Sequence, residues 1–344
     1  MPDPFLIAIV FLALAFDFIN GFHDTANAIA TSVLTKALTI PAAILMAAVL
    51  NFAGAFVSEE VAGTIGKGIV EPAVVTHAVV LAALIGAIAW NLITWYYGLP
   101  SSSSHALIGG VVGAAGLSQC TLRQQDGMLS WSLNYGVFQP AGLEKILIAL
   151  VLSPLAGYVA GFFLMVVLLW VFRRATPWKL NHWFRYLQVG SAAFMAFSHG
   201  GNDAQKSMGI ISMALLSGGF ISTFHIPDWV KIACAGAMAL GTAFGGWRII
   251  RTIGRNVMEL KFIHGFAAET AAALVIQTAT HIGAPISTTH VISSSIMGVG
   301  SSRRLSSVRW KVASNIVTAW VLTLPASAAL AMLAYAALSG LGCR

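Results

Sequence analysis

Gly-Phe-His-Asp-Thr-Ala-Asn, from Gly21 to Asn27, sets an aspartate inside an almost unbroken apolar run from Phe5 to Leu34. A carboxylate near the middle of a membrane span costs roughly 2.5–3.5 kcal/mol on insertion scales, so such residues face polar cavities and mark functional sites. The wording returns downstream as Gly-Gly-Asn-Asp-Ala-Gln-Lys, Gly200 to Lys206, again within an apolar stretch. One membrane aspartate is compatible with accident. The same one twice, among the same small residues, predicts a duplicated site.

The rest of the chain agrees with a membrane setting. Of 344 residues, 58% are hydrophobic and 9% charged, and the mean hydropathy is +0.82. That leaves too little polar surface for a soluble globule and predicts a polytopic membrane protein. The formal charge of +7 lies mostly in short loops between apolar runs, where it orients the protein in the bilayer; no nucleic-acid partner is expected. Cys120, Cys234 and Cys343 lack metal-ligand spacing and cannot all pair, which argues against a disulfide framework. Met-Pro-Asp-Pro-Phe has no basic n-region, so the first run is expected to stay as the first span.

Apolar runs measured against the length of a spanning helix predict embedded segments at 5–33, 41–58, 73–97, 102–118 and 145–172, then at 186–216, 229–248, 262–283, 286–300 and 312–339. The expected fold class is all-α and polytopic, with about 10–12 membrane segments. Segments 102–118 and 286–300 are short, rich in Gly and Ser, and follow a proline, which suits broken or re-entrant half-helices. Arg173, Arg174, Lys179 and Arg185, with no acid among them, put the central loop in the cytoplasm. The same count puts Arg248 to Lys261 and Arg303 to Lys311 inside, and both termini outside. An odd number of crossings per half makes the halves inverted repeats: 1–172, a short cytoplasmic linker at 173–185, and 186–344. Secondary transporters use that architecture, with substrate and coupling ions near the midplane.

Three landmarks recur in order. Asp24 matches Asp203; Thr64-Ile65-Gly66 matches Thr252-Ile253-Gly254; Pro100-Ser-Ser-Ser-Ser-His105 matches Pro285-Ile-Ser-Thr-Thr-His290. Asp24 precedes His105 by 81 residues, and Asp203 precedes His290 by 87. A proline followed by hydroxyl residues suits a helix N-terminus, whose free N–H groups and dipole attract anions. Ser102, Ser103 and Ser104, with Ser287, Thr288 and Thr289 from the other half, are thus candidate contacts for a tetrahedral oxyanion, with Asn202, Thr64 and Thr252 beside them. The structural alternative is hydroxyls that only bond between helices.

Carboxylates repel an anion, so Asp24 and Asp203 are expected to hold cations or protons, with Asn27 and Asn202 as further oxygen ligands. That is symport chemistry. Two residues break the symmetry: Glu269 has no acidic counterpart at the matching place in the first half, and Lys206 stands where the first motif has Asn27. His23, His105 and His290 are candidate proton shuttles, with a bond to a neighbouring helix the favoured reading for His105 and His290. An ammonium at Lys206 would occupy the place of a monovalent cation, disfavouring sodium and favouring protons; a lysine snorkelling to the interface is the bland alternative. Asp17, seven residues before Asp24, falls on a similar helix face and supports the site or lines its entrance.

These motifs, Gly-Phe-His-Asp-Thr-Ala-Asn-Ala, His-Gly-Gly-Asn-Asp-Ala-Gln-Lys, Gly-Phe-Ala-Ala-Glu and Pro-Ile-Ser-Thr-Thr-His, resemble the signatures of the PiT family of inorganic phosphate transporters, nearly end to end. The chain looks closest to bacterial low-affinity phosphate permeases. The resemblance implies inverted repeats, a central phosphate site and cation symport in the cell membrane, here a bacterial inner membrane. By motif match it implies Asp24, Asn27, Asn202 and Asp203 as substrate or cation residues and the Ser/Thr after Pro100 and Pro285 as phosphate contacts. Members with Asn-Asp-x-Ala-Asn in both halves look sodium-coupled, and His23 and Lys206 depart from that form. A divalent metal travelling with phosphate is also implied for some bacterial relatives. No bound cofactor is expected, and the reading admits a homo-oligomer.

Rival classes fit less well. Intramembrane aspartyl proteolysis resembles a Gly-x-Gly-Asp context, which Gly21-Phe-His-Asp24 and Gly200-Gly-Asn-Asp203 both lack, so no enzyme is expected. A passive anion channel would leave the buried acids unused. A sulfate permease of the same superfamily remains the nearest alternative.

Overall fold

The structure is a computed structural model that describes residues 4–71, 74–125, 128–134, 136, 138–244 and 257–341. The first half comprises α1 (Pro4–His23), α2 (Thr25–Leu34), α3 (Ile40–Gly54), α4 (Glu60–Gly68), α5 (His77–Tyr97), α6 (Ser103–Ser118) and α7 (Pro140–Val171). The second comprises α8 (Pro177–Ser217), α9 (Asp228–Phe244), α10 (Phe262–His281), α11 (Thr288–Ser301) and α12 (Trp310–Gly340). Among the described residues, four helical stretches are long and apolar enough to cross a membrane: Pro4–Leu34, α5, α7 and α12. Their outward faces carry large apolar residues such as Phe11, Val151, Phe163, Val321 and Leu333, as lipid contact requires. The loop between α6 and α7 adds an antiparallel hairpin of β1 (Cys120–Gln125) and β2 (Met128–Leu133).

α8 is the axis of the molecule. From Ser198 to Leu215 every residue is buried, with α3 and α4 on one side and α10 on another. Small residues permit the close approach. A Cβ added at Gly200 would fall 2.2 Å from the Asn51 carbonyl oxygen, and one at Gly54 2.1 Å from that of Phe197. The same arrangement joins α1 to α9, where a Cβ at Gly21 would fall 2.3 Å from the Met238 oxygen and one at Gly241 1.9 Å from that of Phe18. Gly21 and Gly200 each stand three residues before their aspartate, and Phe18 and Phe197 six. One helix crossing is thus built twice from the same pattern.

α5 and α6 form an antiparallel hairpin, as do α10 and α11. Each turn is made alike. Gly98 and Gly283 both sit at φ 65°, a left-handed conformation that glycine adopts without penalty. The next amides reach back into the ending helix, Leu99 N to Thr94 O at 2.9 Å and Ala284 N to Ala279 O at 2.8 Å, which closes a Schellman motif. Pro100 and Pro285 then direct the chain into the second helix, whose N-caps, Ser102 and Ser287, accept from the His105 and His290 amides at 3.1 and 3.2 Å. The half-helix pattern read at 102–118 and 286–300 therefore corresponds to the return arms of two hairpins.

Several boundaries differ from expectation. The run at 5–33 is interrupted at Asp24 between α1 and α2, and 41–58 ends earlier, at Gly54. After a break at 55–59 the chain resumes as α4, whose first amides, Val61 N and Ala62 N, donate to Gln205 Oε1 at 2.9 and 3.2 Å. Much of the stretch 173–185 is helix, because Thr176 is an extended N-cap and Pro177 occupies the first helical turn. The end of segment 229–248 and the Thr252-Ile253-Gly254 landmark lie outside the described residues.

Candidate functional site

The N-terminal ends of α6 and α11 meet beside Asp24 and Asp203. The His105 and His290 rings lie 4.4 Å apart, His290 stacks on Trp320 at 4.0 Å, and Ser104 Oγ donates to the Ile286 carbonyl at 3.0 Å. Thr289 Oγ1 donates to Asp24 Oδ1 at 3.0 Å, and Thr288 Oγ1 to Asp203 Oδ2 at 3.2 Å. Both carboxyls therefore touch hydroxyls of the same half-helix end. Ser102, Ser103, Ser104, Ser287, Thr288 and Thr289 are all buried there. Ser103 Oγ is a buried hydroxyl without a hydrogen-bond partner among the described residues.

Lys206 enters this junction from α8. Its ammonium bonds Asp203 and Ser104, and donates to Ile286 O at 3.0 Å. A carboxylate, a hydroxyl and a carbonyl are also the oxygen types that would surround a bound monovalent cation. Lys206 is 1% exposed, so snorkelling to the interface does not describe it. Around Asp24, His23 Nδ1 lies 2.8 Å from Oδ1, and His23 Nε2 lies 3.1 Å from Thr94 Oγ1, which Ser101 Oγ also reaches at 2.8 Å. The Asn27 side chain is outside the described residues.

Other expected contacts stand apart from this junction. Asn202 Nδ2 donates to Thr280 Oγ1 at 3.0 Å and to Ala284 O at 3.4 Å, bracing the turn before Pro285. Thr64 Oγ1 donates to the Gly283 carbonyl of the same turn at 2.7 Å. Thr252 falls outside the described residues. Glu269 forms a separate centre. Its carboxylate accepts from Thr31 and from Ser32 and Ser191 at 2.5 Å, and it is fully buried between α2, α8 and α10. Thr35 Oγ1 donates to Gln188 Oε1 at 2.9 Å beside it, and a cavity of about 970 Å³ lined by Lys36, Arg185, Arg309 and Glu259 opens at the end of α2.

Some participants escaped sequence reasoning. His199 Nε2 lies 3.3 Å from Asp203 Oδ2, and its Nδ1 lies 3.0 Å from Asn51 Oδ1. Asn51 Nδ2 donates to Thr25 and Thr242, at 2.9 and 3.1 Å. Asn20 Nδ2 reaches Asp203 Oδ2 at 3.4 Å. The available signal was a lone polar residue in an apolar run, as at Asn51.

Two half-helix ends, paired carboxyls and a buried ammonium, enclosed by membrane-length helices, define a membrane transport protein rather than an enzyme. The chain belongs to the phosphate transporter family, whose model matches residues 20–331. A relative from Bacillus subtilis (strain 168) named "Probable low-affinity inorganic phosphate transporter" is 51% identical over 332 residues, 96% of each chain. One of the same name from Rhizobium meliloti (strain 1021) is 48% identical over 334 residues, again 96% of each. A solved structure described as "The sodium-dependent phosphate transporter" superposes with a TM-score of 0.85 at 25% identity, covering 98% of this chain and 99% of the other.

Proposed function

We propose that this protein imports inorganic phosphate by symport with protons, by alternating access between two inverted repeats, with both termini on the outer face of a bacterial inner membrane. Family and relatives support phosphate as the cargo. The observation that carries proton coupling is the Lys206 ammonium, held by Asp203, Ser104 and Ile286 O where a transported cation would otherwise sit. A fixed ammonium cannot be exchanged for sodium at each cycle. Asp24, beside His23 and Thr289, has no such permanent cation from lysine and is the carboxyl that takes up charge with the substrate. The phosphate oxygens are received by the half-helix ends and their hydroxyls, from Ser102 to Ser104 and Ser287 to Thr289.

On this reading the hairpin α5–α6 enters from the outer face and α10–α11 from the cytoplasmic face. A hairpin leaves the parity of crossings unchanged, so each half still crosses an odd number of times. Glu269 then lies on the cytoplasmic side of the junction, bonded to Ser32 of α2, the helix at whose end the cavity bearing Lys36, Arg185 and Arg309 opens. It is the carboxyl through which protons leave, and those basic residues draw the released anion towards the cytoplasm.

The test is labelled phosphate uptake into proteoliposomes under a proton or a sodium gradient imposed separately, with sulfate as competitor and with or without divalent metal. Proton-driven accumulation that ignores sulfate is expected. A metal requirement would make the cargo a metal phosphate. Accumulation driven only by sodium overturns proton coupling; competition by sulfate overturns phosphate selectivity; flux that never rises above equilibrium makes the protein a channel.

A further inference from the structure

Asp17 is a buried carboxyl that the junction does not use. It is 0% exposed on α1, with Ser207 Oγ donating to Oδ1 at 2.6 Å and the Cys234 thiol beside it. Its Oδ2 is buried with no hydrogen-bond partner among the described residues. Seven residues along a helix put it about 10 Å from Asp24, towards the N-terminal end of α1. Ser207 lies beyond Asp203 towards the C-terminal end of α8, so both contacts agree on the direction.

No cation is paired with Asp17 among the described residues. On α8, Lys206 and Asp203 both act on it through space with opposite sign, and the ammonium is bonded to Asp203. On α9, Lys231 near the helix start pairs with Glu59 at 2.5 Å and Asp228 at 3.3 Å. α5, also packed on α1, carries no acid or base between Ala78 and Trp95. A buried carboxylate in these surroundings lacks the pairing that ionisation needs, whereas a protonated one is neutral and has an oxygen free to carry the hydrogen. Nor does the fold demand a polar group at this place. Seven residues before Asp203 the chain has Ala196, fully buried.

We infer that Asp17 is a proton-binding site on the outward side of the phosphate junction, taking one proton on Oδ2 from the outer face and giving it up when the junction opens to the cytoplasm. The step is a protonation: one hydrogen ion adds to the carboxylate, making a neutral carboxyl, and the same ion leaves. Ser207 and Cys234 hold the carboxyl in place through Oδ1 and the thiol contact. The inference rests on the proton-symport reading.

The experiment compares the full chain with Asp17→Asn in proteoliposomes, in two assays. Phosphate counterflow at equal pH needs no net proton movement. Accumulation under a pH step of one unit gains about tenfold per coupled proton, because one unit is about 1.4 kcal/mol. Asp17→Asn is expected to keep counterflow and to lose one such tenfold factor of accumulation. Equal accumulation by both proteins, or loss of counterflow in a folded variant, overturns the inference. Should the asparagine variant misfold, Asp17→Ala/Ser207→Ala removes both partners together and is read the same way. Infrared difference spectra across a pH titration keep the two proposals separate. A protonated-carboxyl band that the variant deletes supports the site even if wild-type transport ignores protons, and its absence overturns it.

Discussion

Lys206→Met removes the cation from the buried Asp203 pair and leaves its partner behind. In the wild type, Asp203 has the ammonium, Thr288 at 3.2 Å, Asn20 at 3.4 Å and the His199 ring at 3.3 Å. The variant keeps the last three but loses the lysine, and Ser104 and Ile286 O lose their shared donor. Breaking a buried pair from one side costs about 3–5 kcal/mol, whereas replacing both partners by groups of similar size is often neutral. Lys206→Met is therefore expected to lower unfolding stability by roughly 3–5 kcal/mol, and Asp203→Asn/Lys206→Met to recover to within about 1 kcal/mol of the wild type. Phosphate uptake is expected to be lost in both. The assay is reversible denaturant unfolding of the purified protein in detergent for wild type, both single variants and the double variant. Residues in one buried network couple by more than about 0.5 kcal/mol. If the two single costs simply add, the ammonium and carboxylate do not form the electrostatic unit described here, and the proposal that Lys206 excludes sodium falls with it.

Glu269→Gln keeps the size of the side chain and one acceptor oxygen, so folding is expected to survive with a change of about 1 kcal/mol, typical of one hydrogen bond. Accumulation of phosphate should fail while counterflow persists, which paired proteoliposome assays measure. Gly200→Ala places a Cβ 2.2 Å from the Asn51 oxygen, where no flexible side chain can yield. It should cost about 1–3 kcal/mol, the usual range for overpacking, read as a fall in thermal midpoint. Gly190→Ala on the same helix meets nothing within 4 Å and should gain about 0.5–1 kcal/mol from helix propensity.

Helix existence was legible because apolar runs of membrane length admit few alternatives. The two return arms were legible at their starts, since proline followed by hydroxyls is chemically suited to an N-terminus, and Ser102 and Ser287 do cap there. The break between α3 and α4 was not. Residues 51–57 stay largely apolar, and the group that caps the resumed helix, Gln205, is 144 residues from Val61. His199 and Asn51 were missed because their bond to each other spans 148 residues, so the lone polar residue at Asn51 and the histidine that opens the second aspartate motif did not announce that they meet. α8 begins earlier than its hydropathy because Lys179, His182 and Arg185 are polar on a helix that Thr176 and Pro177 nevertheless start. Hydropathy finds lipid contact, and a helix that emerges from the lipid keeps its hydrogen bonds without it.

A duplicated crossing of identical halves would treat the two sides of the membrane alike, since exchanging the halves would exchange inward and outward states at equal energy. This chain departs from that balance at its charged residues. Asp17 stands against Ala196, Lys206 against Asn27, and Glu269 has no acidic partner in the first half. The small-residue crossings at Gly21 with Gly241 and Gly200 with Gly54, by contrast, are kept in both halves. These crossings are therefore shared, and the charged residues named above are not; on the proposed mechanism they are the groups that bind or replace protons and cations. On the proposed orientation Asp17 lies outward and Glu269 inward of the phosphate junction. Each access state then brings a different carboxyl near water, while the Lys206–Asp203 pair between them stays neutral. That arrangement gives proton uptake and release separate residues, so a variant at one should alter coupling from its own side only.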